Sequence, residues 1–245
     1  MPPIKGCKKV TNYKVNCLLS LTHFCLMVCL HDLPPANRLI RLSCLFLIGL
    51  AMLIASIHPL DWSSYAMHQL GTLIFVAGMI WLHRRFGLRA ISWIGSTGFL
   101  LLHILGARYL YSYVPYDEWF TALFGTGLSD VFGWKRNMYD RLVHFAYGLL
   151  LFPLMWDVCK RIFIIPSPAK LFAIVLMLNM STSMIYELIE WGIAMSLSPK
   201  QAESYNGQQG DVWDAHKDMA LALLGGILAG VFGGMITPFF STKKT

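Results

Sequence analysis

The chain has 245 residues, 56% of them hydrophobic and only 13% charged, with a formal net charge of +7. Soluble domains hold about 45–50% apolar and about 25% charged residues, and a water-exposed fold this apolar could not cover its own surface. The basic residues sit at the ends of apolar runs, with no basic patch of interleaved aromatics outside them, so the charge speaks for orientation in a bilayer and against a nucleic-acid partner.

The first apolar run, Cys17–Leu30, follows Lys5, Lys8, Lys9 and Lys14. It is short for a membrane span. Its long basic lead, the lack of a small-residue cleavage site and the polar, Pro-broken stretch His31–Asn37 argue against a secretory signal. An in-plane or non-spanning segment is expected, with an extra span as the alternative. Residues 1–37 then form an N-terminal extension, 38–240 a transmembrane domain and 241–245 a short basic tail.

Six spans are expected after it, near Leu42–Ile57, Tyr65–Leu82, Ile91–Leu110, Leu142–Val158, Leu171–Met195 and Met219–Ile236. Each must be helical, because backbone groups in hydrocarbon have to bond within their own segment. The fold class is therefore all-α, a polytopic bundle of about six spans. Gly87, Pro115, Pro166, Pro168 and Pro199 punctuate the links, and Pro153 should kink the fourth span. The six cysteines include no CxxC pair, and free or buried thiols are expected.

Lys and Arg set the orientation. With a cytoplasmic N-terminus, only Arg108, Lys135, Arg136, Arg141, Lys200 and Lys217 of the 20 basic residues fall outside, which favours both termini inside a bacterial inner membrane. The acidic residues do the reverse. All of the 13 except Asp32 and Asp157 fall outside or at outer helix ends. Acidic residues contribute little to insertion, so this clustering has another cause.

Three clusters concentrate it. Asp140 and His144 in Tyr139-Asp140-Arg141-Leu142-Val143-His144 are four apart and share a helix face. Glu187 and Glu190 do so in Tyr186-Glu187-Leu188-Ile189-Glu190-Trp191. Asp211, Asp214 and Asp218 lead into the sixth span and would line one stripe if helical. The fourth helix leaves the outer face, the fifth returns to it and the sixth leaves it again, so the clusters share one depth. Arg108, Tyr109 and Tyr111 end the third span there, while His58 and His68 flank the first outer link with nothing to fix them nearby.

Gathered carboxylates need a cation, protons or arginine partners. Asp140, His144, Glu187, Glu190, Asp214 and Asp218 offer oxygen ligands for Mg²⁺, Mn²⁺ or Ca²⁺, with the imidazole leaving Zn²⁺ or Fe²⁺ open. Asp140, His144, Glu187, Glu190, Asp211 and Asp214 are the candidate acids, bases or metal-site residues of a catalytic centre. Arg108 and Arg141 could instead hold a lipid phosphate. The plainer reading pairs the same carboxylates with those arginines as structural salt bridges, with Asp211 capping the sixth helix. His103 reads as a hydrogen-bonded interior residue, and Asn179, Ser181, Thr182 and Ser183 as bonding across helices. In the last span, Ala222, Gly226, Gly230 and Gly234 recur at four-residue spacing, as do Gly225, Ala229 and Gly233, which reads as close internal helix packing, with dimerisation as the alternative.

Four pieces together resemble the YjdF-type family of bacterial inner-membrane proteins. They are Gly106-x-Arg108-Tyr109-x-Tyr111-x-x-Val114-Pro115; Tyr139-Asp140-Arg141-x-x-His144-Phe145-x-x-Gly148; Tyr186-Glu187-Leu188-Ile189-Glu190-Trp191; and Gly207-x-Gln209-Gly210-Asp211-Val212-Trp213-Asp214-x-x-x-Asp218-Met219. They span about residues 40–238, leaving residues 1–37 outside the pattern. A more remote similarity is to VanZ-like membrane proteins, which also set an Asp and a His at one helix start, a Glu at the end of the next span and an Asp before a Gly-rich last span. These resemblances imply a shared helical core and a location; a reaction does not transfer with a fold. Three functions stay open: a membrane enzyme acting on a lipid or lipid-linked substrate with a divalent metal, a transporter or channel component, and a structural protein whose charges lock its helices. Membrane lipids are the expected partners, and the sequence leaves the oligomeric state open.

Overall fold

The computed structural model describes residues 35–163, 167–198, 202, 205 and 207–236, with side chains as far as residue 232. Among the described residues eight helices follow one another: α1 (Arg38–Ala55), α2 (Trp62–Phe86), α3 (Ala90–Arg108), α4 (Tyr116–Phe124), α5 (Leu128–Phe132), α6 (Tyr139–Ile162), α7 (Pro168–Ala194) and α8 (Asp214–Ile236). All but the short α4 and α5 are long and apolar enough to cross a membrane. The run Cys17–Leu30 and the tail 241–245 lie outside the described residues.

The six expected spans are present, most of them longer than the apolar runs alone suggest, because polar residues cap and extend them. The Asn37 side chain accepts the Ile40 N–H at 2.9 Å to start α1. Asp61 accepts the Ser63 hydroxyl at 2.6 Å and the Ser64 N–H at 2.7 Å to start α2, and these bonds hold its carboxyl below the usual range. In the other direction, α3 stops at Arg108, two residues short of the expected Leu110. There Leu110 (φ 52°) and Tyr111 (φ 56°) turn left-handed. The turn folds the Tyr111 ring back over Gly106, where an added Cβ would stand 2.6 Å from the ring. Pro153 lies inside α6 without ending it. The helices α4 and α5 were not foreseen; Asp117 joins them by accepting the Ser129 N–H at 2.9 Å and its hydroxyl at 2.5 Å.

The bundle is built around α6, the most buried span, which packs against α3, α7 and α8, while α1 packs on α3. Outward faces of α1 and α2 expose Leu53, Leu70, Leu73 and Ile74, as lipid-facing surfaces do. The small residues of α8 pack inside the chain. A Cβ on Gly148 of α6 would lie 1.8 Å from the Ala222 carbonyl oxygen, and one on Gly225 would lie 2.2 Å from the Phe145 carbonyl oxygen. Gly226 faces Leu176 and Asn179, and Gly230 faces Phe172 and Phe152. Such contacts let two backbones touch, which small residues alone permit.

At the far end of the bundle Asp157 is buried on α6. One oxygen accepts the Arg89 Nε–H at 2.5 Å; the other accepts the Arg89 backbone N–H at 3.0 Å and the Ser92 hydroxyl at 2.6 Å. Cys44 and Cys159 are free and buried.

Replacing Gly148 with Ala forces α6 and α8 apart at a backbone contact. We expect a loss of about 1–3 kcal/mol or more, the usual cost of overpacking, read as a lower midpoint of thermal unfolding in detergent; an unchanged midpoint would contradict the contact.

Candidate functional site

The stripe that seats α8 on α6 also positions the charges. On α8, Asp214, Asp218 and Ala222 follow at four-residue spacing; on α6, Asp140, His144 and Gly148 do the same. Both helices run away from the same end of the bundle. The sequence offset that sets Gly148 against Ala222 therefore sets His144 against Asp218 one turn nearer the helix starts, and Asp140 against Asp214 one turn nearer still. All four charged residues are buried, Asp218 to 2% exposure.

Two tiers result. In the outer tier arginines meet carboxylates. Arg136 donates to Asp214 at 2.5 Å and to the Gly207 carbonyl at 3.1 Å. Arg141 pairs with Asp211 and stands 3.6 Å from Asp214. Asp211 precedes α8, so the three aspartates do not form one helical stripe. Its carboxylate also accepts the Lys217 ammonium at 2.6 Å and the Trp213 N–H at 3.1 Å, and this set of donors pulls it down to about 2. Gln209 ties the loop before α8 to the one before α6: its amide accepts the Asn137 N–H at 2.9 Å and donates to the Asn137 carbonyl at 3.1 Å.

The inner tier holds no arginine. Ligand atoms of Asp140, His144 and Asp218 lie within 4.8 Å of one another. His144 stands between two carboxylates, Nε2 at 3.7 Å from Asp140 and Nδ1 at 3.6 Å from Glu187. Both separations exceed a hydrogen bond. The two carboxylates face opposite ring nitrogens, so one alone can share an ion with this imidazole; the Nε2–Asp140 separation approaches the ~3–3.5 Å between ligand atoms that each bind one ion at about 2.0–2.2 Å. One Asp218 oxygen and one Glu187 oxygen are buried with no hydrogen-bond partner among the described residues.

A cavity opens on each side of this tier. One, of about 250 Å³, runs down the inside of the bundle from Asp140 and His144, past Val143 and Tyr147, to Leu151. Another, of about 240 Å³, lies between α7 and α8 and is walled by Glu187, Glu190, Asp214 and Asp218. Beside the first, burial and nearby Asp140 push the Tyr111 phenol well above its usual value. The His68 carbonyl, which can only accept, lies 3.3 Å from His103 Nε2, so the ring proton sits there and Nδ1 accepts the Tyr111 hydroxyl at 2.5 Å. Tyr205, which burial raises to about 12, stacks on His68 with ring centroids 4.9 Å apart.

Of the residues singled out in the sequence, the structure gathers Asp140, His144 and Asp218, with Glu187 on the far side of the imidazole and Glu190 on the wall of the acidic cavity. Asp211 and Asp214 belong to the arginine tier. Arg108 lies elsewhere: its guanidinium donates to the Ile54 carbonyl at 2.8 Å and stacks over Tyr109. His68 is near the site, held by its rings, and His58 is exposed on the surface. Thr182 reaches across to Tyr147, whereas the Asn179 amide and the Ser183 hydroxyl are buried without partners. The sequence reading missed Arg136, Asn137 and Tyr205. Gln209 stood in a quoted motif, but without a role.

Six apolar spans around a buried acid–histidine centre define a polytopic membrane protein. The chain belongs to the family described as "Predicted membrane protein (DUF2238)", whose model matches residues 40–238. It is similar to the "Inner membrane protein YjdF" of Escherichia coli (strain K12), 27% identical over 183 residues that cover 75% of this chain and 83% of that protein. No solved structure matches it. The spans and this relationship make it a multi-pass inner-membrane protein.

Arg136→Met should strip Asp214 of its closest cation and cost about 3–5 kcal/mol, as breaking one side of a buried pair does. Adding Asp214→Asn should recover part of that loss in a double-mutant cycle of unfolding midpoints. Strict additivity would mean the pair is not coupled.

Proposed function

We propose that the protein holds a divalent metal ion on Asp140, His144 and Asp218, with Glu187 beside them, and acts with it on a lipid or lipid-linked substrate. The observation that carries this reading is the inner tier itself: three ligand atoms within 4.8 Å of one another, all on buried residues, with an Asp218 oxygen that no donor among the described residues satisfies. One imidazole with carboxylate oxygens suits Zn²⁺ or Mn²⁺. When bound, such an ion polarises a phosphoryl or carbonyl oxygen and lowers the pKa of a bound water. The cavity walled by Glu187 and Glu190 favours cations and gives them a path from the bundle end. Glu187, on the Nδ1 side, would back the imidazole from behind as an outer carboxylate does for a metal-bound histidine.

Metal analysis of protein purified without added chelator tests this. About one Zn²⁺ or Mn²⁺ per chain is expected, falling at least tenfold in Asp218→Asn and His144→Ala and unchanged in Arg108→Gln. A metal-free wild type, or full metal in Asp218→Asn, would sink it.

A second reading, that the charges lock the helices, is favoured for the outer tier alone, where Arg136 and Arg141 meet Asp211 and Asp214.

The basic-residue bias supports a further element of the proposal: both termini in the cytoplasm and the acidic end facing the periplasm. Alkaline phosphatase fused after Thr126 should then be active, and a fluorescent protein fused after Thr245 should fluoresce. The opposite pair of results would invert the orientation.

A further inference from the structure

We infer that the cavity beneath the acid–histidine tier is a slot for one acyl chain of a membrane phospholipid, entered sideways between α2 and α7. This names the substrate class of the site proposed above and rests on that reading for the head group; the slot itself rests on the cavity.

The cavity follows α6 from Asp140 to Leu151. At 1.5 Å per residue that is a run of ~16 Å, close to half of the ~30 Å hydrocarbon core, the depth of one leaflet. Below Asp140 and His144, four of the polar groups around it turn to protein partners, while the Ser183 hydroxyl has none among the described residues. Tyr147 bonds Thr182, the Thr72 hydroxyl donates to the His68 carbonyl at 3.2 Å, and Tyr111 bonds His103. What remains toward the space is largely carbon, from Phe75, Phe99, Leu100, Val143 and Leu151. Carbon-lined cavities take apolar guests, and one of ~150 Å³ holds benzene; this one, polar at its Asp140–His144 head and mainly carbon below it, is about 250 Å³.

Its walls reach the bilayer. Gly71 lines the cavity, is exposed, and has nothing within 4 Å of where a Cβ would stand. Its neighbours Leu70, Leu73 and Ile74 face outward on α2, as Met184 and Ile185 do on α7 beside the lining residues Ser183 and Tyr186. In its packing α2 leans on α3 and touches α6, while α7 leans on α6 and α8. A lipid in the leaflet nearest the acidic end therefore has an apolar chain at the right depth, and its ester and phosphate oxygens fall at Asp140, His144 and Asp218. Arg141, whose Nε is buried without a partner, stands one residue after Asp140.

The full chain reconstituted in phosphatidylethanolamine–phosphatidylglycerol vesicles tests the slot, with the phosphatidylglycerol carrying a photoactivatable diazirine in mid-chain. Label should appear at Phe99 and Val143, inside the bundle, and fall at least tenfold in Gly71→Trp, which plugs the mouth without touching the inner tier. Metal content is measured on the same samples. Labelling confined to lipid-facing Leu73 and Ile74 overturns the slot, and so does inner labelling that Gly71→Trp leaves intact. If inner labelling is present and blocked in a protein without metal, the slot stands and the metal reading falls. If Gly71→Trp does not fold, Gly71→Leu takes its place, and the wild-type labelling pattern still decides.

Discussion

The backbone contact between Gly148 on α6 and Ala222 on α8 sets the geometry on which the rest depends. Two helices that touch at the level of backbone atoms cannot slide past each other, because any larger group meets a carbonyl. Register is thereby fixed one and two turns away, where the same faces carry His144 and Asp140 on α6 and Asp218 and Asp214 on α8. Association within a bilayer has no hydrophobic drive of its own; close packing of small residues supplies it. The glycine-rich last span is thus both the adhesive of the bundle and the rule that measures out its polar centre.

Charge at that centre is handled in layers. Toward the loops, Arg136, Arg141 and Lys217 meet Asp211 and Asp214, and Gln209 clips the two loops together. One turn deeper the basic side chains stop: His144 and Asp218 lie there, with Asp140 one turn above them and Glu187 across the imidazole. Neutral tyrosines and histidines then take over along the cavity, ending in carbon at Leu151. Polarity falls with depth along the cavity.

Much of this was legible in the sequence. Spans follow from apolar runs of fixed length, and the i, i+4 spacing of Asp140 with His144 and of Asp214 with Asp218 needs nothing beyond helix geometry. The small-residue stripe also pointed to close packing. Pairing was less accessible. Arg136 and Arg141 both precede or open the same helix, and only the fold of the 207–211 loop decides which aspartate each one meets. Arg108 sits at the expected depth but on the α1 side of the bundle, because depth comes from topology while azimuth comes from packing. Tyr111 enters the cavity through two consecutive left-handed residues, a turn that no local propensity signals at Leu110-Tyr111. The short helices α4 and α5, only nine and five residues long, have no span-length apolar run to betray them.

The molecule also contains its own comparison for the acid–histidine tier. Asp157, at the other end of α6, shows how this bundle buries a carboxylate when structure is the only demand: a guanidinium, a backbone N–H and a hydroxyl share its two oxygens. Asp218 is buried more deeply, yet one of its oxygens has no donor, and Glu187 beside it is in the same condition. An unsatisfied buried polar group costs about 1–3 kcal/mol, and a charged one more. Arginines stand within a helical turn of this tier, so donors were within reach of the fold, yet they are spent on Asp211 and Asp214. A helix lock would gain from turning them inward. That the fold withholds them from Asp140, Asp218 and Glu187, while setting an imidazole among the three, is the contrast on which the proposed cation rests.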